Sequence, residues 1–335
     1  MIISRTPFRI SFFGGGTDYP AWFRENGGAV LATTINKYCY ITCRYLPPFF
    51  EHKYRVAYSK IEYAKETTDI QHPAVREAVK FIGLNSGVEI HHDADLPARS
   101  GLGSSSSFMV GLLNVLHALK GEMIDKRKLA EEAIFIEQDL IKENVGCQDQ
   151  ILAAFGGFNI VSFTKSKQID IQPVTLNRNK LNDLLGHLML YFTGFTRTAS
   201  EIASEQIKNT PNKVSELRTM HQMVYEAASI LNGKSHMSEF GKLLHESWLI
   251  KKTLSYKISN DVIDDLYESG RKAGAIGGKL LGAGGGGFLL LFVEPEKQPA
   301  VREKLKNKLI IPFSFENSGS TIIFYQPDQQ ESIVQ

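Results

Sequence analysis

Residues 97–107, Pro-Ala-Arg-Ser-Gly-Leu-Gly-Ser-Ser-Ser-Ser, restrict the possible folds of this chain more than any other stretch. Before them, Val88, Ile90, Ala94 and Leu96 alternate with Glu89, His91, Asp93 and Asp95, a period of two that predicts a strand. After them, Phe108, Leu112, Val115, Leu116 and Leu119 recur at helical spacing. A strand, a glycine-serine turn and an apolar helix in that order make an anion cradle. Glycines let main chain approach a phosphate, amides at the helix start point at it, and the helix dipole favours its charge. The turn has no Gly-Lys-Ser/Thr run, so it is not a Walker loop. Its four serines, Ser104, Ser105, Ser106 and Ser107, offer hydroxyls to phosphate oxygens or to a magnesium ion. The competing reading, a flexible linker, fits poorly between two strongly periodic apolar segments.

The chain has 335 residues, room for two domains of ordinary size. A net charge of +2 does not favour a nucleic-acid partner. No run approaches the roughly 18 apolar residues of a membrane span, and the first residues enter a strand rather than a leader. Three cysteines, Cys39, Cys43 and Cys147, form neither a zinc spacing nor an even disulfide set, so a reduced, cytoplasmic protein is expected.

Phe8, Ile10 and Phe12 predict a strand ending at Gly14-Gly15-Gly16-Thr17-Asp18-Tyr19, a sharp turn presenting one carboxylate. Asp18 reads equally as a cap or turn former. Strands are expected over 29–35, 38–45 and 54–57. A helix over 128–142 places Glu137 in the apolar arc of Leu129, Ala130, Ala133, Ile134, Ile136, Leu140 and Ile141. A carboxylate there is expensive unless it meets a cation, either a buried salt-bridge partner or magnesium. Glu143, at the edge of the arc, is the second candidate ligand. The helix breaks at 144–150, and Asp149 lies in a turn able to fold back, so two carboxylates would divide metal binding from proton abstraction. A polar stretch over 165–180 suggests a boundary between domains 1–175 and 176–335. Beyond it, a strand over 187–192 runs into Thr193-Gly194-Phe195-Thr196-Arg197-Thr198, an ordinary cap or a place for a substrate's phosphate or hydroxyls. Glycines over 277–287 beside an apolar strand indicate that something approaches the backbone there.

Three of these stretches resemble, in order, the motifs of the GHMP kinases, the superfamily of galactokinase, homoserine, mevalonate and phosphomevalonate kinases. They are residues 9–19, 97–107 and 281–288, and they span nearly the whole chain. Gly-Gly-Gly-Thr-Asp at 14–18 departs from the Gly-Glu-His-Thr-Asp of galactokinases. With Val-Gly-Cys-Gln-Asp-Gln at 145–150, it looks most like bacterial D-glycero-D-manno-heptose 7-phosphate 1-kinases. The resemblance implies a two-domain α+β fold, with an N-terminal half like domain 2 of ribosomal protein S5 and a ferredoxin-like C-terminal half. It implies ATP and Mg2+, with Pro97, Ser100, Gly101, Leu102, Gly103 and Ser104 to Ser107 about the nucleotide and Ser105 and Glu137 on the metal. Asp149 would be the base on an anomeric hydroxyl, and Arg9 would steady the charge there. Gly15, Gly16, Thr17, Asp18, Tyr19, Gly284 and Gly285 would line the sugar site. Arg197, Arg99 and Lys279 are candidates for the substrate's own phosphate. The expected partners are a sugar phosphate and ATP, with no nucleic acid and no membrane, in a monomer or homodimer. A free-sugar kinase of the fucokinase kind, or a non-catalytic sensor on the same fold, are the alternatives.

Overall fold

A computed structural model describes residues 1–84, 86–196 and 199–327. The strands, in chain order, are β1 (Ile2–Phe13), β2 (Gly28–Tyr45), β3 (Tyr54–Ala57), β4 (Ile61–Ala64), β5 (Val88–Ala94), β6 (Phe158–Phe163) and β7 (Ile169–Pro173). They continue with β8 (Leu188–Phe192), β9 (Ala275–Leu280), β10 (Phe288–Val293), β11 (Phe315–Glu316) and β12 (Thr321–Tyr325). Among the described residues, nine form a sheet along the path β12-β1-β2-β5-β3-β4, with β6 and β11 also on β2 and β7 on β6.

Where two strands were expected over 29–45, one strand of 18 residues runs through. Its first part pairs with β6 and its second with β5, while β1 follows both parts antiparallel. The register shifts twice, between Pro7 and Phe8, where β2 carries Asn36 and Lys37 as extra residues, and between Ser11 and Phe13; at the first, proline has no N–H to give the ladder. The helix Ser104–Leu119 is buried on nearly every side, as expected of an element that carries apolar residues all round. It packs on β1 and β2, so its N-terminus is held at a fixed point over the sheet.

The second sheet is β8-β10-β9, antiparallel. Backbone bonds from Phe192 N to Leu309 O (2.9 Å) and from Ile311 N to Leu190 O (2.8 Å) lay 309–311 along the free edge of β8. The spatial order is therefore 309–311, β8, β10, β9, and the chain order is strand, helices, strand, strand, helix, strand. That is the ferredoxin-like arrangement. All six residues of β10 are buried, which explains its unbroken apolar run.

β7 and β8, on either side of residue 175, lie in different sheets, but β11 and β12 return to the larger one. A cut into 1–175 and 176–335 therefore does not separate the sheets cleanly. The halves meet where the Phe12 and Phe13 rings stand edge-on to Phe240, at 5.5 and 5.2 Å. Among the described residues no helix is long and apolar enough to cross a membrane.

Candidate active site

The turn after β5 delivers its four serines into the first turn of a helix, not ahead of one: the helix starts at Ser104, with Gly103 as a left-handed N-cap at φ 75°. The amides of that turn are the free donors of a helix start. The hydroxyls divide. Ser107 Oγ donates to Pro7 O at 2.9 Å, and Ser104 Oγ accepts from Arg99 N at 3.2 Å. Ser106 Oγ donates to Glu137 Oε2 at 2.8 Å and Ser105 Oγ to Glu137 Oε1 at 3.3 Å. Ser107 is thus tied to the scaffold, while Ser105 and Ser106 turn toward the buried acid.

Glu137 is inward as its position in the arc requires, but not on a continuous α-helix. The α-helix Lys126–Phe135 gives way to a π turn, Ile136–Leu140, closed by Ile141 N on Ile136 O at 2.9 Å. The wider turn buries Ile136 and Glu137 together, as π turns at functional sites often do with an extra residue. Gln150 Nε2 also donates to Glu137. All these partners are neutral, and burial pushes the Glu137 carboxyl up to about 7. A fully buried carboxylate met by hydroxyls and an amide is costly without a cation. Among the described residues no cluster of three His, Cys, Asp or Glu side chains suits a metal. Glu137 with a serine hydroxyl fits magnesium, a hard ion that takes one or two protein oxygens and keeps its waters. The backbone N of Glu143 donates to Glu137 O at 2.8 Å, and burial raises the Glu143 carboxyl while Arg99 opposes the shift.

Asp149, expected in a turn, sits in the first turn of the helix Gln148–Phe155. Arg9 holds it bidentately, Nε on Oδ1 and Nη2 on Oδ2, both at 2.7 Å. The third guanidinium donor, Nη1, takes Gly101 O at 2.6 Å, and Arg9 N donates to Leu102 O at 3.0 Å. A Cβ on Gly103 would stand 3.4 Å from the Asp149 carboxyl carbon. Asp149 and Arg9 therefore lie under the turn that opens the serine helix.

Asp18 is 2% exposed, with Oδ1 accepting from Gly16 N at 2.9 Å and Oδ2 from Gln148 N at 3.4 Å. Burial, then the neighbouring Asp149, raises its carboxyl. Thr17 Oγ1 bonds Gly14 O and Ala29 O at 2.8 Å each, fixing the turn. Burial, with Asp18 and Asp149, likewise raises the Tyr19 phenol.

The third glycine stretch divides by position. A Cβ on Gly287 would stand 2.1 Å from Ser100 O, against the nucleotide-type turn. Gly284 packs on Ile258, and Gly285 N donates to Ile258 O at 2.9 Å. Contact with that turn thus falls to Gly282 and Gly287, and Gly284 and Gly285 brace the stretch from behind. Lys279, 2% exposed, donates to Phe12 O at 2.8 Å and straps the halves together. Pro97 and Arg99 are exposed at the turn's approach, whereas Ser100 and Leu102 are buried within it. Arg197 lies outside the described residues.

The chain matches the family model described as GHMP kinases N terminal domain over residues 63–157, and GHMP kinases C terminal over 227–311. It belongs to the GHMP kinases. As a member it is an ATP-dependent phosphotransferase. This GHMP kinase is 30% identical to the D-glycero-alpha-D-manno-heptose 7-phosphate kinase of Campylobacter jejuni, over 95% of its own length and 97% of the relative's. It is 28% identical to the L-fucokinase/L-fucose-1-P guanylyltransferase of Bacteroides fragilis, over 90% of this chain and 35% of that protein. Its fold is that of a D-glycero-D-manno-heptose 1-phosphate kinase from Bacteroides thetaiotaomicron (TM-score 0.80, 24% identity, 97% of this chain and 100% of the other). A Lactococcus lactis galactokinase crystallised with galactose shares it too (TM-score 0.75, 20% identity, 96% of this chain and 94% of the other).

One member of the site was missed from sequence. Lys251, 4% exposed, donates to Leu280 O at 3.3 Å and also to Gly282 O. Burial, then the nearby Arg9, lowers its ammonium to about 7. Its signal resembled that of Glu137: a charge in line with Leu244, Ser247 and Trp248, the buried stripe of Met237–Thr253.

Proposed function

We propose that this GHMP kinase transfers the γ-phosphoryl group of ATP to the anomeric hydroxyl of D-glycero-D-manno-heptose 7-phosphate, giving the 1,7-bisphosphate for nucleotide-activated heptose synthesis in the cytoplasm. The observation that carries the substrate is the end-to-end similarity to the Campylobacter jejuni heptose 7-phosphate kinase, 30% over nearly the full length of both chains. The fucokinase relative is less similar and much longer than the matched region, so a free sugar is the second reading.

Phosphoryl transfer needs positioning and charge neutralisation more than covalent help. The amides of 101–107 would wrap the ATP phosphates at the helix start. Glu137 with Ser105 or Ser106 would hold Mg2+, which when bound neutralises charge between the phosphates. Asp149, oriented by Arg9, would accept the proton of the anomeric hydroxyl as its oxygen bonds to phosphorus and the bond to the ADP oxygen breaks. The Arg9 guanidinium spans Asp149 and Gly101, so it would offset charge moving between base and phosphate. Incubation with MgATP and a panel of heptose 7-phosphate, fucose and other free sugars, read by 31P NMR, tests this. A new anomeric phosphate only on the heptose phosphate is expected; turnover of free sugars alone would replace the substrate assigned here.

A further inference from the structure

Gly15 is a glycine without an internal reason. Its neighbours are crowded: a Cβ on Gly14 would stand 1.9 Å from Ala29 O, and one on Gly16 2.4 Å from Gln206 Nε2. Gly15 has no left-handed φ, and its Cβ would meet nothing nearer than Ser11 Oγ at 3.9 Å and Gln148 Nε2 at 4.0 Å. Neither backbone conformation nor packing within the chain asks for glycine there.

Two polar, unsatisfied side chains, Ser11 and Gln148, stand at that space, and a third, Gln206, stands at Gly16 beside it. Ser11 Oγ, Gln148 Oε1 and Gln206 Nε2 are buried and have no hydrogen-bond partner, and their residues are 5%, 8% and 4% exposed. An orphan of this kind is costly unless a partner arrives. They come from three elements, β1, the helix Gln148–Phe155 and the helix Ala199–Asn209, and meet on one two-residue turn. Gln148 directly precedes Asp149, the proposed base, at the start of the same helix.

We infer that Ser11 and Gln148 are specificity-determining residues that hold vicinal hydroxyls of the sugar over Gly15, with Gln206 closing the ring from the second half. The set decides between ligand ends. Gln148 offers an acceptor, Gln206 a donor and Ser11 either, which matches hydroxyls that both donate and accept. An apolar group would leave all three orphaned. A phosphate would bring its charge toward the carboxylates of Asp18, which accepts from Gly16 N and Gln148 N, and its neighbour Asp149, so the substrate's own phosphate points elsewhere. This inference rests on the reading of the chain as a sugar kinase.

The test uses the full chain and the sugar that the wild type phosphorylates best, so a wrong choice of sugar above does not disturb it. Gly15→Ala is expected to keep the wild-type melting temperature and the KM for ATP, and to raise the KM for sugar about tenfold or more, the scale of one hydrogen-bonded group displaced. Gln148→Met is expected to raise the same KM by about tenfold. A series of singly deoxygenated sugars then supplies a readout that a structural role would not move. One deoxy sugar should lose as much with the wild type as Gln148→Met loses with the full sugar, and should lose nothing further with the variant. Wild-type sugar KM in both stable variants, or strictly additive losses across every deoxy position, would overturn the assignment.

Discussion

The backbones of Gly101 and Gly282 touch: a Cβ on Gly282 would stand 2.4 Å from the Gly101 α-carbon, and one on Gly101 2.4 Å from Leu281 O. The turn that would cradle ATP thus rests on the third glycine stretch with no side chain between them. From the other side Arg9 holds Gly101 O, and Lys251 holds the carbonyls that flank Leu281. Both halves of the chain are needed to fix the turn proposed to hold the phosphates.

Gly101→Ala combines a left-handed φ of 81° with that overlap. We expect a loss of roughly 1–3 kcal/mol in stability and a raised KM for ATP, with little change in the KM for sugar. Thermal melts and steady-state kinetics against each substrate check it.

Asp149→Asn keeps the shape and removes the proton acceptor, so kcat should fall about 10²–10⁴-fold, the usual contribution of a positioned base. Arg9→Lys exchanges a planar fork for a point charge and loses the bidentate grip. Its kcat should fall about ten- to a hundredfold, the worth of a hydrogen bond between charged groups. An Asp149→Asn enzyme with wild-type kcat would remove Asp149 from the role of base.

Glu137 is raised from 4.5 to about 7, so the folded protein binds more protons than the unfolded chain between those values. Without metal, stability should therefore fall as pH climbs from about 4.5 to about 7. A cation competes with the same proton, so Mg2+ affinity should rise across pH 7 with proton release. Glu137→Gln should flatten that part of the stability profile and abolish the metal dependence of ATP binding, measured by calorimetry in two buffers of different ionisation enthalpy.

Lys251 shifts the other way, from 10.5 to about 7. The unfolded chain then binds more protons between those values, and the contribution of Lys251 to stability should increase as pH rises through them. Lys251→Met should remove that slope and, by freeing the carbonyls of Leu280 and Gly282, raise the KM for ATP. Denaturant midpoints from pH 7 to 10 measure the first effect.

Local pattern was enough for much of this protein. The alternation into residue 97 and the helical period after it mark the serine turn, and the apolar arc around Glu137 marks a buried acid. Three ordered motifs pointed to the family. These signals lie within a few turns of chain, and short-range periodicity records which side of an element is buried. Tertiary structure decided what each polar group meets. Only the fold brings Arg9 onto Asp149 across 140 residues, ties Ser107 to Pro7, and returns β12 to pair with β1. Only the fold shows that Gly14 and Gly16 are crowded while Gly15 is not. Glycine looks the same in every sequence; whether its missing side chain leaves room for backbone, for another residue or for a substrate depends on what distant segments bring against it.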